Sequence, residues 1–520
     1  MCGGKGCFMF SSVWSAAICG VECVPVRVEA DVSNGLPMFT MVGYLNSQVK
    51  EAQERVRIAV RNAGISLPPK RITVNLSPAD VRKEGNRFDL PIAAALLAAF
   101  GFIEKERLES VMMAGELSLD GKVNPVRGVL PLAEAAYGNG CGLCVVPEGN
   151  YREAVMAGKC RVLGVRSLQE FIERAALDDW GLSGEDGGEE RRDNAVVSSL
   201  ESQDVDFSDI RGQEGVKRAA LIAAAGFHNF LMSGMKGAGK TMIARRIPTI
   251  MPELTREECM EISRLYSIAG LLSEQKPYLT QRPFRAPHHT ASPQAMAGGG
   301  RFPRPGEITL SHRGVLFLDE FPEFSHMAVE ILRQPLEEHR ILIARTGGVF
   351  EFPAHFMLVA AMNHCPCGNY PDLARCTCTA AEINRYQSRI SGPILDRIDM
   401  CVETQNVTYG DLTGGKMGKT SAEYKKEVEK ACNIQQARYE RTGIRFNSEL
   451  GMEEIRHFCH TSPEGRRILE KAFEKMNLSA RGYHKILKTA RTIADLDQEE
   501  EIKEAHISEA ICYRSVEEVR

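Results

Sequence analysis

One glycine-rich segment constrains what this chain can fold into more than any other part of the sequence. Residues 234–241 read Gly-Met-Lys-Gly-Ala-Gly-Lys-Thr; they follow the apolar run Phe-Leu-Met at 230–232 and precede an amphipathic helical pattern. Glycines at such a turn let successive backbone N–H groups surround phosphates at the N-terminus of a helix. The spacing G-x-x-x-x-G-K-T predicts a phosphate-binding P-loop, in which Lys240 neutralises phosphates and the Thr241 hydroxyl binds Mg²⁺. The glycines that shape this loop are Gly234, Gly237 and Gly239.

A second apolar run ends in two carboxylates. Residues 314–320 read Gly-Val-Leu-Phe-Leu-Asp-Glu, which predicts a buried strand with Asp319 and Glu320 at its carboxyl end. Ligands bind at that end of a doubly wound sheet. We expect Asp319 to hold Mg²⁺ through its water shell and Glu320 to orient and deprotonate an attacking water. A further strand pattern ends in Asn363, which would position the same water, although an Asn there is more often only a turn residue.

Length and composition favour a globular chain of several domains. The 520 residues are 43% hydrophobic and 25% charged, and leave room for about three or four domains. The net charge of −4 is uneven: residues 177–210 hold eleven acidic residues against two arginines, so the remainder is mildly basic at +5. The sixteen cysteines stand mostly alone in apolar runs, which favours a reducing, cytoplasmic compartment.

Two apolar segments could also be interpreted as a signal peptide or as a membrane-spanning helix. Residues 7–24 resemble a signal peptide, but they continue into alternating sequence, so a first core strand explains them better. Residues 90–102 are too few to cross a bilayer and are typical of a buried helix. We therefore expect no membrane association.

Changes of pattern along the chain predict four regions. Residues 1–176 alternate strand and helix patterns, with a half-buried strand at 24–32 and an amphipathic helix at 49–63. Residues 177–206 have neither apolar periodicity nor aromatic content beyond Trp180, as in a flexible acidic linker. Residues 207–420 hold the P-loop and both later strands. Residues 421–520 form an all-helical module, with helices expected at 421–440, 463–476, 479–496 and 507–517.

These elements, in this order, resemble the AAA+ ATPases and, more narrowly, the magnesium-chelatase-like ComM/YifB family. The resemblance extends over nearly the whole chain in ungapped blocks. The blocks are residues 35–37, 68–76 (Pro-Pro-Lys-Arg-Ile-Thr-Val-Asn-Leu), 88–93, 115–121, 209–214, 284–290 (Phe-Arg-Ala-Pro-His-His-Thr), 298–300, 305–308, 388–393 and 395–399 (Leu-Asp-Arg-Ile-Asp). It implies an AAA+ P-loop α/β core followed by a C-terminal helical lid. One departure is Met235-Lys236, where the family usually has two prolines, so this P-loop would be less stiff.

The resemblance also assigns two arginines. Arg397 occupies the position of an arginine finger that acts across a subunit interface, and Arg481, in Leu-Ser-Ala-Arg at 478–481, matches the sensor arginine of the lid. A guanidinium is permanently charged and planar, which suits contact with a γ-phosphate. Without the family, a surface ion pair would be the preferred interpretation of either residue.

The N-terminal region resembles the Lon-protease fold (S5 domain 2-like), above all at residues 115–129. A Lon-type protease needs a serine activated by a lysine. Here the two positions hold Arg87 and Leu130. We therefore predict an α/β domain without peptidase activity.

Four cysteines form a C-x-C, eight-residue, C-x-C pattern. Cys365, Cys367, Cys376 and Cys378 could supply four thiolates to a structural, tetrahedral Zn²⁺, with four reduced cysteines lining a loop as the alternative.

The insertion between the two nucleotide-site elements is rich in arginine. His288 and His289 lack a third ligand at suitable spacing and, as neighbours in extended chain, are expected to point apart. Arg282, Arg285, Arg301 and Arg304 would suit a phosphate backbone at the pore of a ring, or else belong to a solvated loop.

The resemblance implies an ATP-hydrolysing, Mg²⁺-dependent ring motor, expected to be a homo-hexamer. Its first predicted function is DNA helicase or branch-migration work in homologous recombination and natural transformation, with single-stranded or branched DNA and recombination proteins as partners. The alternatives are a magnesium chelatase motor subunit and a protein-remodelling ATPase that does not act on DNA.

Overall fold

The chain forms two compact units. The structure is a computed structural model that describes residues 9–177, 180, 205–300, 303–345, 348–405 and 418–514. Unit 1 comprises Met1–Ser198, Arg256–Thr280 and Thr346–Phe350, and unit 2 comprises Ser199–Thr255, Gln281–Arg345 and Glu351–Arg520. Almost all of the predicted acidic linker, and Arg301 of the insertion, lie outside the described residues.

Unit 1 is built on a mixed sheet of seven strands. Their order is Met38–Val42, Arg71–Ser77, Glu22–Ser33, Met9–Cys19, Val111–Met113, Leu143–Pro147 and Arg161–Val165. The long strand Glu22–Ser33 pairs antiparallel with both neighbours, and the remaining pairs are parallel. The other elements of unit 1 are the helices Ser47–Asn62, Asp89–Ala99, Val129–Gly138, Tyr151–Met156, Leu168–Leu177 and Arg256–Ala269, the short strands Glu116–Leu117 and Val123–Asn124, and the 3₁₀ turns Asn86–Phe88, Lys105–Leu108 and Glu148–Asn150.

The core of unit 1 follows from its apolar patterns. The apolar N-terminal run is a core strand, Met9–Cys19, as predicted. Helix Asp89–Ala99 is buried at every position, because it is apolar on all sides and packs against the two longest strands. Its buried first residue, Asp89, receives two hydrogen bonds from the Arg55 guanidinium at 2.8 and 3.0 Å, which compensates the buried charge.

A helix from the middle of the sequence completes unit 1. Arg256–Ala269 packs against Val129–Gly138, and Arg264 forms two 2.8 Å hydrogen bonds with the Glu134 carboxylate. The Ser267 hydroxyl donates to the buried Glu153 carboxylate, and the Gly128 N–H donates to the Ser267 carbonyl at 2.9 Å. The sequence pattern predicted that this helix belongs with residues 207–420. In the structure it belongs to unit 1, where Arg264 and Ser267 bind Glu134 and Glu153.

Unit 2 contains a five-stranded, fully parallel sheet. The order is Phe284–Arg285, Val315–Leu318, Met357–Met362, Phe230–Gly234 and Met400–Thr404. The two strands Val315–Leu318 and Met357–Met362 are buried throughout, as expected for parallel strands covered on both faces. Two separate two-stranded sheets pair Gly298–Gly299 with Arg304–Pro305 and Arg340–Arg345 with Gly348–Pro353, which begins in unit 1. The other elements before the helical end of unit 2 are the helices Glu214–Gly226, Lys240–Ile250, Pro293–Ala297, Glu307–Leu310, His326–Glu330, Arg333–Glu338, Ala380–Gln387 and Gly392–Leu395, and the 3₁₀ turns Phe207–Asp209 and Phe321–Glu323.

The last part of unit 2 is helical, as predicted. Its helices are Ser421–Tyr439, Met452–Phe458, Pro463–Lys475, Ala480–Leu496 and Glu504–Cys512, with a 3₁₀ turn at Asn447–Glu449. Three of them begin after a hydroxyl residue, Thr420, Ser462 or Ser479, whose side chain accepts a backbone N–H of the first turn. Among the helices in the described parts of the chain, none combines the length and the apolar character needed to cross a bilayer.

Candidate nucleotide-binding site

The P-loop connects an interior strand of the unit 2 sheet to a helix. Strand Phe230–Gly234 ends at the loop, and helix Lys240–Ile250 begins directly after Gly239. Gly237 and Gly239 both have φ of 83°, in the left-handed region that favours glycine. A Cβ on Gly234 would lie 2.0 Å from the Thr404 Oγ1, so the close approach of the neighbouring strand also requires glycine. The loop therefore presents its backbone at the carboxyl edge of the sheet.

Lys240 lies at the centre of this loop. Its Nζ donates to the carbonyls of Gly234 and Met235 at 2.8 and 2.9 Å and to the Asn363 Oδ1 at 3.1 Å. Burial lowers the pKa of Lys240 to about 8, against the opposing effect of the Asp319 charge. Lys240 and Asn363, 123 positions apart in sequence, thus meet at one edge of the sheet.

The proposed Mg²⁺ ligands lie next to each other. The Thr241 hydroxyl donates to the Asp319 Oδ2 at 2.6 Å, and the Glu320 N–H donates to the Asp319 Oδ1 at 2.9 Å. Strand Val315–Leu318 lies two strands from the P-loop strand, with only the Asn363 strand between them. A hydroxyl and a carboxylate in contact form an oxygen-rich pair of the kind that Mg²⁺ prefers, so these residues fit the ion.

Glu320 has an uncommon backbone and an unexpected partner. Its φ of 52° is left-handed, a conformation that non-glycine residues rarely adopt and that often accompanies function. The His289 Nδ1 lies 3.1 Å from the Glu320 Oε2, and both side chains are partly exposed. Sequence reasoning missed this contact. It was also wrong about the two adjacent histidines, whose ring centroids lie only 4.1 Å apart.

The two arginines assigned by the resemblance, Arg397 and Arg481, both contact the carboxylate of Glu337. The Arg397 Nη2 lies 2.7 Å from the Glu337 Oε1, and the Arg481 Nη2 lies 3.2 Å from the same oxygen. Glu337 was not predicted, because nothing in the sequence links it to residues 60 and 144 positions away. One carboxylate therefore brings the largely buried Arg397 and the exposed Arg481 together in unit 2.

The arginines of the insertion have different environments. Arg282 is buried and donates to the backbone carbonyls of Pro252, Glu253 and Arg313. Arg285 forms two 2.7 Å hydrogen bonds with the Glu307 carboxylate. Both are therefore structural, whereas Arg304 is exposed.

The four cysteines converge, and their sulfurs all lie within 4.8 Å of one another. Three of the Sγ–Sγ distances are 3.3 Å (Cys365–Cys367), 3.6 Å (Cys367–Cys376) and 3.8 Å (Cys365–Cys376). Backbone N–H groups of Asn369 and Thr377 lower the pKa of the Cys367 thiol to about 6. A tetrahedral ion with about 2.3 Å metal–sulfur bonds needs sulfurs about 3.8 Å apart, so the cluster fits Zn²⁺.

In unit 1, Arg87 and Leu130 are the residues that the resemblance to Lon proteases puts at the two catalytic positions. Arg87 is buried and donates to the backbone carbonyls of Ala16 and Arg127. Leu130 is buried, and its N–H donates to the Glu153 carboxylate at 3.0 Å. The absence of peptidase activity remains a prediction from these residues.

Comparison with known proteins identifies related sequences over nearly the whole chain. Three family models match: "Magnesium chelatase, subunit ChlI" over residues 206–412, "Subunit ChlI of Mg-chelatase" over residues 28–150, and "Magnesium chelatase, subunit ChlI C-terminal" over residues 418–514. Lon protease 2 of Bacillus subtilis is 27% identical over 25% of this chain and 24% of its own length.

Two curated relatives align with this chain over nearly their full length. The competence protein ComM of Haemophilus influenzae is 42% identical over 97% of both chains. The uncharacterized protein YifB of Escherichia coli is 40% identical over 98% of this chain and 97% of its own. The chain therefore belongs to the ComM/YifB family of magnesium-chelatase-like AAA+ proteins.

Proposed function

We propose that this protein hydrolyses ATP with Mg²⁺ at the carboxyl edge of the unit 2 sheet. The observation that supports this most directly is the convergence of Lys240 with Asn363 and of Thr241 with Asp319. Lys240 and the P-loop N–H groups bind and orient the phosphates, and Thr241 and Asp319 would hold the ion, which would supply positive charge to neutralise the phosphates. Glu320 accepts a proton from the attacking water, which Asn363 helps to position.

The catalytic site is completed by a neighbouring subunit in this proposal. Arg397 and Arg481 share the Glu337 carboxylate, so one carboxylate brings together both groups that would stabilise charge on the γ-phosphate. AAA+ proteins often assemble as oligomers, and we propose a homo-hexameric ring. Glu337 holds the guanidinium groups in place until a phosphate competes for them.

DNA is the polymer that we propose as the substrate of this motor. The chain is similar over nearly its full length to a protein named for competence, and its body outside the acidic region is net basic. The exposed Arg304 lies in the insertion that also carries His289, the partner of Glu320. DNA that contacts this insertion would thus change the position of His289 and, through it, that of the catalytic base Glu320. We infer a cytoplasmic helicase or branch-migration factor that acts with recombination proteins.

The test is steady-state ATP hydrolysis by the full chain, with and without single-stranded and branched DNA. Glu320→Gln is the blank, because losing a general base costs about 10²- to 10⁴-fold in rate. Several-fold stimulation that decreases with salt supports DNA as the substrate. Wild-type hydrolysis no faster than that of Glu320→Gln would refute the ATPase itself.

Two other functions make different predictions in the same assay. A magnesium chelatase motor would be stimulated by chelatase partner subunits and not by DNA; the matches to chelatase models over residues 206–412 and 418–514 favour testing it. A protein-remodelling ATPase would respond to neither.

We also propose that Cys365, Cys367, Cys376 and Cys378 hold one Zn²⁺. Four thiolates leave no open coordination position, so this ion would be structural. Stoichiometric zinc by mass spectrometry of protein purified without chelator is expected, and its loss in a Cys365→Ser/Cys378→Ser variant would assign it to the cluster.

A further inference from the structure

The loop that carries the four cysteines is attached to the P-loop at two points. We call residues 363–378 the cysteine loop. At its start, the Asn363 Oδ1 accepts from the Lys240 Nζ at 3.1 Å. Five residues later, the Gly368 carbonyl accepts from the backbone N–H of Lys236 at 3.0 Å. The first cysteine pair lies between these two contacts, so the position of this pair and the shape of the P-loop are linked.

The second contact depends on a close approach of two backbones. Gly368 has φ of 79°, and a Cβ there would lie 3.0 Å from the Lys236 Cβ. The Gly368 N–H donates to the Cys365 carbonyl at 3.1 Å, which closes a turn around the first cysteine pair. The carbonyl that reaches the P-loop therefore belongs to the same tight turn that presents Cys365 and Cys367.

The cysteine loop has little hydrophobic burial to keep it ordered. Leu373 is 82% exposed and Tyr370 is 36% exposed, whereas Cys365 is fully buried. A loop of this kind cannot offset its conformational entropy with an apolar core of its own. Metal–thiolate bonds supply that free energy in small metal-stabilised segments.

We propose that Zn²⁺ bound by the four cysteines holds the Gly368 carbonyl against the P-loop, so that occupancy of the zinc site sets the affinity for nucleotide. This inference rests on the ATP and zinc sites proposed above. Without zinc, the cysteine loop loosens, the Lys236 N–H loses its partner and the P-loop is less well organised for phosphates. Loss of one backbone hydrogen bond changes an equilibrium constant by about three- to tenfold.

The experiment measures nucleotide affinity and zinc content in the same samples of full-length protein. A fluorescent ATP analogue is titrated into protein as purified, into protein stripped with a strong zinc chelator, and into stripped protein reloaded with Zn²⁺. We expect one zinc per chain as purified, a Kd that increases about three- to tenfold on stripping, and recovery on reloading. Reversal on reloading shows that stripped protein has not simply unfolded.

Two variants distinguish the effect of the Lys236–Gly368 hydrogen bond from the effect of the metal. Lys236→Pro removes the N–H donor but no cysteine, and Lys236 is not among the residues with positive φ, which proline cannot adopt. It should keep its zinc, and its Kd should change less on stripping than the wild-type Kd. Cys365→Ser/Cys378→Ser should behave as stripped protein without any treatment. Cys512→Ser, which alters an exposed cysteine in the last helix, is the matched control and should behave as wild type.

The possible failures are distinguishable. Wild-type protein that binds nucleotide but contains no zinc overturns both the zinc assignment and this inference. Zinc that can be removed without any change in Kd overturns the inference alone. Wild-type protein that does not bind the ATP analogue overturns the proposed function.

Discussion

The buried ammonium of Lys240 should make nucleotide binding depend on pH. Burial lowers the pKa of Lys240 to about 8, whereas a bound phosphate would favour the charged form. Below pH 8 the free protein already carries the charge; above it, binding must first take up a proton. We therefore expect the Kd for ATP to increase as the pH rises from 7 to 9, by up to about tenfold.

Titration of the fluorescent nucleotide at several pH values checks this dependence. Calorimetry in buffers of different protonation enthalpy should detect proton uptake on binding above pH 8. A Lys240→Arg variant remains charged throughout this range, so any affinity that it retains should not vary with pH. A wild-type Kd that is equal at pH 7 and pH 9 would contradict the prediction.

His289 offers a second test at the residue scale. Its Nδ1 lies 3.1 Å from the Glu320 carboxylate, and it belongs to the arginine-bearing insertion. If it communicates DNA contact to the catalytic base, His289→Ala should lower the ratio of DNA-stimulated to basal hydrolysis towards one. His288→Ala is the neighbouring control: the His288 ring lies against the His289 ring, but the His288 Nδ1 pairs with the Thr290 hydroxyl at 2.9 Å. An unchanged ratio in His289→Ala would exclude this role.

Individual site residues could be predicted only where they belong to a motif of neighbouring residues in the sequence. Gly234, Lys240, Thr241, Asp319 and Glu320 lie in contiguous patterns, so the sequence indicated which residues to consider, and their roles stay predictions. The His289–Glu320 contact and the shared Glu337 carboxylate depend on juxtapositions that no spacing encodes. The same holds for Lys236, for which sequence predicted only a less stiff loop; its N–H bonds to Gly368, a contact that a proline could not make.

At the scale of elements, the arginine-bearing insertion, residues 282–304, is the segment to test for DNA contact. Of its arginines, Arg282 and Arg285 are engaged by carbonyls and by Glu307, while Arg304 is exposed. Arg304→Glu should therefore lower DNA stimulation of hydrolysis several-fold and reduce its salt dependence. Arg467→Glu, an equal charge reversal at an exposed position of helix Pro463–Lys475, is the control. Equal stimulation in both variants would exclude the insertion arginine.

Secondary structure was predictable because periodicity decides it locally. The helical patterns at 421–440, 463–476 and 479–496 correspond to Ser421–Tyr439, Pro463–Lys475 and Ala480–Leu496. The pattern at 507–517 corresponds to Glu504–Cys512, which begins three residues earlier than predicted and ends before Tyr513. Sequence did not predict which sheet each element joins. Helix Arg256–Ala269 shows why, since its assignment depends on Glu134 and Glu153, more than 100 positions away.

At the scale of the whole molecule, the proposed ring predicts complementation between inactive subunits. Arg397→Ala leaves Glu320 intact, and Glu320→Gln leaves Arg397 intact. Each variant alone should hydrolyse ATP at least about 100-fold more slowly than wild type. A mixture should recover a measurable fraction of the activity, because some interfaces pair an intact Glu320 with an intact Arg397 from the neighbour.

Hydrolysis by the mixture, compared with the sum of the two separate rates, is the measurement. Native mass spectrometry should establish that mixed oligomers form. Mixed oligomers with no recovery would mean that Arg397 acts within its own chain or not at all.

The placement of helix Arg256–Ala269 in unit 1 has a consequence for cutting the chain. A protease that cleaves once between residues 181 and 204 would divide the chain into two fragments. Unit 1 would then contain residues from both fragments, because Arg256–Thr280 belongs to it. The N-terminal fragment would still hold that helix through Glu134–Arg264 and Glu153–Ser267. Nicked protein should therefore elute as one species under native conditions and separate only on denaturation, and a recombinant fragment 1–176 should need the missing helix, added as a peptide, to fold fully.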